Sequence, residues 1–505
     1  MTGLYERFEA SCARFKDKTA VICGENRVSY TALAERVGKF SRILGGCGVK
    51  KGTHVSLLCR NSPDMLCLYF ALFRAGAVCS PLNYRENAQE LARLAGYVDT
   101  ELLIYDDAMA ERLHEAEKLA GGSFRSVSLA QLAELPEGEA PETVQCAEGD
   151  IVLNIFTGGT TGESKAASHS YEGLAYQLES CYMLEAPVRE DDVFLNYAPM
   201  FHIGGFTAAM QTVCAGGTFV ISEAFKPAQL LDFVQQEGVT QLSLIPPSLC
   251  TELVKCDNFG ASMLSSVRVV RMSGGACNET NVHRMFELFP NAKAFIGYGM
   301  SERAVNMVNI ISRDKPMHVI DGNISVGTPG AFNECRLVDE NGETVCRPGQ
   351  IGEVYGRGPC TMTGYYKRDD SFDRDGWFAT GDLMFFDEDG FYYFVDRKKN
   401  MIKSGGENVY SNLVEQIIRM HPSVKDCAVV GIPDERLGEM VAAAVVLRDG
   451  AAPVSGEELA DFCGKYTAGF RKARKIVFVK ELPRSKIGKV KKSEVKALLT
   501  GKADG

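Results

Sequence analysis

Short apolar runs alternate with helix-length amphipathic segments through the first two thirds of this chain, and that alternation restricts the fold more than any other feature. Thr53–Leu58, Leu102–Tyr105, Ile151–Phe156, Val193–Tyr197, Thr218–Ile221, Gln241–Ile245, Val267–Met272 and Ala294–Ile296 read as strands. Pro63–Ala75 and Pro227–Glu237 read as helices between them. Such a succession predicts parallel sheets covered by helices. The texture changes after about residue 330, where Glu334–Asp339, Gly352–Arg357, Leu383–Phe386 and Phe391–Val395 are short strands. The turn signals Glu340–Gly342 and Asp387–Gly390 separate them. Beyond Asn400 the pattern is mixed, with helices at Leu413–Met420 and Gly456–Lys465 and strands at Val424–Ile432 and Val441–Leu447. The expected fold class is α/β. A large N-terminal domain of parallel α/β sheets covers 1–397, with a small β-rich subdomain over about 330–397, and a small α+β domain covers 398–505.

Composition narrows the function classes. The 505 residues are enough for a sizeable core, and 55 Lys plus Arg against 65 Asp plus Glu give a formal charge of −10. That balance argues against a nucleic-acid or anionic-membrane binder. The 17 cysteines form no C-x-x-C pair and the seven histidines no metal-binding spacing, so a structural zinc site is not expected. The charged N-terminal stretch lacks the apolar core of a signal peptide, and no apolar run is long enough to span a membrane. An odd cysteine count in that context predicts reduced thiols and a cytoplasmic location.

The strongest local signal is the segment 156–166, FTGGTTGESKA. A strand runs into glycines and hydroxyls and then reaches Lys165. Glycines let backbone N–H groups converge, threonines add donors and the lysine adds charge, which suits a polyphosphate. The spacing is not that of a Walker A loop, because Lys165 lies three residues after Gly162. Nor does Ser164 sit directly after a strand, as a hydrolase nucleophile would.

This loop resembles the phosphate loop of the adenylate-forming superfamily, which includes acyl-CoA synthetases, luciferases and the adenylation domains of peptide synthetases. Thr157, Gly159, Thr160, Thr161, Gly162 and Lys165 match its usual pattern. Gly158, Ser164 and Ala166 depart from it, standing where serine, proline and glycine are usual. Further motifs of the family follow in order: Pro199–His202, Ser273–Ala276, Gly297–Glu302, Gly376–Asp382, Asp396–Asn408 and Pro483–Lys489.

The resemblance implies attack of a carboxylate on the α-phosphate of ATP, then transfer of the acyl group to the thiol of coenzyme A. Both first reactants are anions, so charge must be neutralised by Mg2+ and lysine. It assigns Glu302 to the magnesium ion, Thr160 and Ser301 to phosphate oxygens, and Lys489 to the substrate carboxylate and α-phosphate. Thr157, Gly159, Thr161, Gly162 and Lys165 complete the phosphate loop. Gly274, Gly275 and Ala276 flank adenine, and Tyr298 stacks on it beside Gly297 and Gly299. Asp382 takes the ribose hydroxyls, with Arg397 at the ribose and phosphate edge. His202 stands between the acid site and the CoA tunnel, a gating rather than a base role. Gly405 and Gly406 line the pantetheine tunnel after the C-terminal domain turns about a hinge at Lys399.

An α-amino acid is disfavoured, because His202 follows Phe201 where amino-acid adenylating domains usually carry aspartate. The expected lining is Ile203, Gly204, Gly205, Phe206, Ala304 and Val305, which is apolar and suits a fatty or aromatic acid. Arg471, Lys472, Arg474 and Lys475 offer charge to CoA phosphates. The expected partners are therefore a small carboxylic acid, ATP and CoA, with no nucleic acid; a homodimer is compatible with the sequence. Two rival readings stay open: loading of a separate carrier protein, and a nucleotide-binding homologue with impaired catalysis.

Overall fold

The fold is that of a computed structural model, which describes residues 3–501 apart from 142, 144–146, 148, 158–163, 254, 257–263, 276, 321, 467–471 and 485–489. Packing divides the chain into two compact units, Met1–Cys335 with Gly356–Phe378, and Arg336–Tyr355 with Ala379–Gly505. The domain boundary expected near Lys399 falls within the second unit.

The first unit is built on two sheets. One has nine strands, and its centre is parallel: Thr218–Ile221, Val193–Asn196, Gln241–Leu244, Val269–Ser273 and Lys293–Met300 lie in mutual register. The other has seven, with Leu102–Tyr105, His54–Leu58 and Val78–Pro81 parallel and adjacent. One core joins the facing sides of both, bringing Val55, Leu57 and Leu153 together with Phe194 and Phe219 through a layer of helices. Those helices are Leu4–Phe15, Pro63–Ala75, Tyr171–Tyr182 and Ile203–Cys214. Pro227–Glu237 and Glu279–Leu288 cover the far side of the nine-stranded sheet, and Ala88–Tyr97 and Ala110–Ala120 that of the other. The result is five alternating layers, as the strand–helix succession predicts.

Local chemistry sets the element ends. The Ser62 hydroxyl accepts the Met65 N–H, Pro63 opens the helix with no N–H to satisfy, and Gly76 closes it at φ +63°. Among the departures from the parallel plan are two hairpins. Ile151–Thr157 pairs antiparallel with Lys165–Ser170, and Lys293–Met300 pairs antiparallel with Arg303–Ile311. The second corrects the expectation of a three-residue strand at Ala294–Ile296. Its continuation through the glycine-rich 297–300 is held by pairing with a neighbour that a single strand's apolar pattern does not reveal.

In the second unit, most of a four-stranded sheet (Glu334–Val338, Gly352–Arg357, Phe378–Phe386, Tyr392–Arg397) precedes a five-stranded one. The long pair Val424–Asp434 and Gly438–Leu447 forms the spine of the latter. Ser411–Arg419 and Gly456–Gly464 pack on one face and Lys492–Thr500 on the other. Among the described residues no helix is long and apolar enough to cross a membrane, and every described cysteine is free.

Candidate active site

The phosphate-loop segment is the connection of the first hairpin. Thr157 ends one strand and Lys165 begins the next, and the two are register partners. Gly158, Gly159, Thr160, Thr161 and Gly162 lie outside the described residues, while Ala166 is buried in the second strand. Lys165 Nζ stands 4.7 Å from the centre of the Tyr365 ring, a cation–π distance. Tyr365 belongs to a two-residue strand that pairs beside this hairpin, opposite Ala167.

Tyr365 is the first site residue that the sequence did not announce. Its hydroxyl donates to Glu302 Oε1 at 2.5 Å. Burial and the neighbouring carboxylate both push that phenol well above its ordinary range, so it stays a donor. Glu302 is 8% exposed, and its carbonyl accepts the Met362 N–H at 2.8 Å. Ser301 and Glu302 form the turn between the two antiparallel strands, so neither begins a helix and Ser301 is not a helix cap. Gly299 is needed here for closeness: a Cβ would stand 1.9 Å from the Ala304 carbonyl oxygen. Tyr298 is half-buried just before it. A carboxylate with one oxygen fixed by a phenol and the other available is a hard donor of the kind Mg2+ takes, alongside phosphate oxygens and water.

The second unannounced residue is His169, on the strand after the phosphate loop. It is 1% exposed, and its Nε2–H donates to the Ser301 carbonyl at 2.8 Å. Nδ1 accepts from the Gln177 amide at 3.2 Å, which also donates to the Cys360 carbonyl at 3.0 Å. Burial lowers the imidazole to about 4, so it is neutral and its tautomer is set by these two partners. It pins the turn that carries Glu302 to the hairpin that carries Lys165. A lone histidine in the short strand Lys165–Ser170 gives no sign of this.

On the adenine side, Ser273 ends its strand as the register partner of Gly297. Gly274 follows at φ +72°, and Gly275 faces Pro246. Ala276 lies outside the described residues. His202 occupies the cap position of the helix Ile203–Cys214, with its ring 4.5 Å from that of Phe201. Two of the expected lining residues are corrected. Phe206 points into the core, edge-on to Tyr69 at 5.1 Å and Phe73 at 6.0 Å. Gly205 leaves no space for substrate, since a Cβ there would lie 2.2 Å from the Pro199 carbonyl; it lets the helix start against that turn. Ile203, Gly204 and Ala304 keep some exposure, and the Val305 side chain lies outside the description.

In the second unit, Asp382 and Arg397 are register partners on adjacent strands, and Arg397 Nε lies 3.2 Å from Asp382 Oδ1. Asp382 is 2% exposed. Lys398 pairs with Glu353 at 2.7 Å, and Lys399 sits in the single turn Lys398–Asn400. Asp396, just before it, accepts from the Ser411 hydroxyl at 2.7 Å and the Asn412 N–H at 3.0 Å. Gly405 and Gly406 make the tight turn between Ile402–Ser404 and Glu407–Val409, at φ +63° and +87°. Lys472 is paired with Asp461, and the Lys475 ammonium donates to the Leu499 carbonyl. Lys489 and Arg471 lie outside the described residues.

Comparison with known proteins identifies the family to which this fold belongs. The AMP-binding enzyme model matches residues 8–366, and the AMP-binding enzyme C-terminal domain model matches 413–489. The chain belongs to the AMP-binding enzyme family. It is 33% identical over 483 residues to a feruloyl-CoA synthase of an Amycolatopsis species, covering 95% of each chain. It is 30% identical over 487 residues to a 2-succinylbenzoate–CoA ligase of Bacillus cereus, covering 96% of each. ATP-bound MatB from Rhodopseudomonas palustris superposes with a TM-score of 0.88 at 26% identity, covering 99% of each chain. The o-succinylbenzoate CoA synthetase of Bacillus subtilis, bound to ATP and a magnesium ion, gives 0.84 at 25% identity, covering 98% of this chain and 99% of that one.

Proposed function

We propose that this chain activates an aromatic carboxylic acid, with each reacting group held by the residues described above. It is an AMP-forming acid–thiol ligase using ATP, Mg2+ and CoA. A carboxylate oxygen attacks the α-phosphorus, the bond to the β-phosphate bridge breaks, and pyrophosphate leaves. The CoA sulfur, having lost its proton, then attacks the acyl carbon of the acyl-adenylate, and AMP leaves. The observation that carries the site reading is the Lys165–Tyr365–Glu302 chain, which sets a cation and a fixed carboxylate beside the phosphate hairpin. The aromatic substrate class is supported by the feruloyl-CoA and succinylbenzoate–CoA relatives, each of which the chain matches over nearly its full length.

In this reading Thr157, the loop 158–162 and Lys165 bind the phosphates, and Glu302 holds magnesium. Tyr298, Gly274, Gly275 and Ala276 hold adenine, while Asp382, oriented by Arg397, reads the ribose. Lys489 acts in adenylation only, and Lys399 is the hinge between domains 1–397 and 398–505. Gly405 and Gly406 then serve the thiol step, with His202 between acid and tunnel. We also place the enzyme in the cytoplasm, on the strength of the free cysteines among the described residues; a homodimer is compatible with the sequence, and light scattering decides it.

The test is turnover of purified protein with magnesium ATP, with and without CoA, on alkyl and aryl acids, following AMP and acyl-CoA by chromatography. AMP and aryl-CoA in equal amounts support the reading; preference for alkanoates refutes the aromatic class. Lys489→Ala should slow pyrophosphate exchange by ~10²–10³, the scale of one preorganised transition-state donor, yet leave pre-made acyl-adenylate competent with CoA. Unimpaired exchange would remove Lys489 from its role.

A further inference from the structure

We infer that the seam where the helices Tyr171–Tyr182 and Ile203–Cys214 meet the strand Arg303–Ile311 recognises an uncharged hydrogen-bonding substituent on the acid, with Asn306 as the specificity-determining residue. The inference rests on the aryl-acid reading above and names which aryl acids the site prefers.

Asn306 lies where the strand Arg303–Ile311 shifts register against Lys293–Met300, between the paired residues Arg303 and Met307. Ala304 packs against the core that contains both helices. Asn306 is 1% exposed, yet among the described residues neither its amide nitrogen nor its amide oxygen has a hydrogen-bond partner. Two hydroxyls are in the same condition, Ser180 Oγ on the first helix and Thr207 Oγ1 on the second. Gly330 ties strand to helix: its N–H donates to the Asn306 carbonyl at 2.9 Å, and a Cβ on it would lie 3.2 Å from Ser180 Oγ.

On the second helix Gly204 is exposed, Ile203, Thr207 and Ala208 keep 8–9% exposure, and Ala209, Thr212 and Val213 keep none. Residues 203, 207 and 211 share one helical stripe. Beyond Ile203 that stripe carries the polar Thr207 and Gln211, where the sequence suggested an apolar lining. The helix begins at His202, and the strand begins one residue after Glu302. Both elements therefore lead away from the proposed reaction centre.

Native proteins rarely leave buried polar atoms unpaired, and several together mark a place where a ligand completes the bonding. An amide supplies two donors and an acceptor, and hydroxyls supply either. None of the stripe residues is charged, so the complement is a neutral group: a ring hydroxyl, ether or carbonyl. An alkyl chain would leave every one of these atoms unpaired. Sites built to bond a substrate hydroxyl reject the analogue lacking it far more strongly than apolar pockets reject an added methylene.

The experiment compares kcat/KM for matched acids, an arylpropenoate bearing a ring hydroxyl and its unsubstituted analogue, in wild type, Asn306→Leu and Thr207→Val. Wild type should favour the hydroxylated acid by well over the ~10–200-fold that an apolar pocket gives for a methylene. Asn306→Leu should bring that ratio near unity while leaving the unsubstituted acid within about threefold, and Thr207→Val should move the ratio the same way. A merely structural role would lower both acids by one factor. That outcome, or a wild type that does not discriminate, overturns the inference. Absence of any aryl-CoA product in wild type would instead overturn the aryl-acid reading on which it stands. Should Asn306→Leu fail to fold, the Thr207→Val ratio decides alone.

Discussion

Two buried polar clusters in the first unit, around His169 and around Asn306, are equally hidden from water and differ in one respect. Around His169 both ring nitrogens are answered: one by the Ser301 carbonyl, the other by the Gln177 amide, which also reaches the Cys360 carbonyl. On the neighbouring strand Asn154 likewise joins Ser80 and Ser168. Around Asn306 the amide and two hydroxyls are unanswered within the described residues. The first arrangement is closed and holds the hairpins that carry Lys165 and Glu302. The second leaves donors and acceptors unanswered among the described residues, as a site for an incoming polar group requires. Burial alone does not separate scaffold from binding surface; the state of the hydrogen bonds does.

The largest effect should come where scaffold and reacting groups meet. Glu302→Gln keeps the shape and the acceptor oxygen for Tyr365 but removes the charge. Adenylation should fall by ~10²–10³, as for loss of one preorganised charge partner, with the melting temperature nearly unchanged. Single-turnover pyrophosphate release reads it, and a variant as active as wild type would take Glu302 out of the metal site.

Tyr365→Phe separates holding from reacting. It removes only the hydroxyl that fixes Glu302 Oε1. A hydrogen bond to a charged group is worth about 1.5–3 kcal/mol, so adenylation should drop by about tenfold or more. The Mg2+ concentration giving half-maximal nucleotide binding, measured by fluorescence without any acid present, should rise. An unchanged magnesium dependence would make Tyr365 a packing residue only.

The closed cluster also predicts a pH response. His169 is lowered in the folded chain to about 4 from an ordinary 6.5. The unfolded chain therefore binds the extra proton first, and the stability due to a neutral imidazole is lost as pH falls from 6.5 to 4. The loss is about 3 kcal/mol at most, from about 1.4 kcal/mol per unit. Urea unfolding of His169→Gln should show a flatter profile over that window, though lower stability at pH 7. Parallel profiles for the two proteins would contradict a buried neutral histidine.

Much of the fold was legible in the sequence because its signals are local. The helices Pro63–Ala75 and Pro227–Glu237 and the strand Thr218–Ile221 have the bounds their caps and apolar runs suggest. The motifs Gly297–Glu302 and Gly376–Asp382 supplied residues that stand where paired strands can present them, the latter as the Asp382–Arg397 pair. What sequence withheld depends on distant pairing. Tyr365 reaches Glu302 across 63 residues, and His169 reaches Ser301 across 132. No local pattern encodes either. The helix after His202 misleads for the same reason: Phe206 and Gly205 fit an apolar lining by type, but the turn at Pro199 and the core rings claim both, and Thr207 keeps more exposure than Phe206.

The difference between the two clusters is tested most directly by urea unfolding and steady-state kinetics on Gln177→Leu and Asn306→Leu, measured side by side. Gln177→Leu leaves buried partners unanswered and should cost about 1–3 kcal/mol of stability while preserving the preference among acids. Asn306→Leu removes unanswered groups and should be as stable as wild type or more so, while losing that preference. The reverse pattern, a stability loss at Asn306 with the preference intact, would contradict the account.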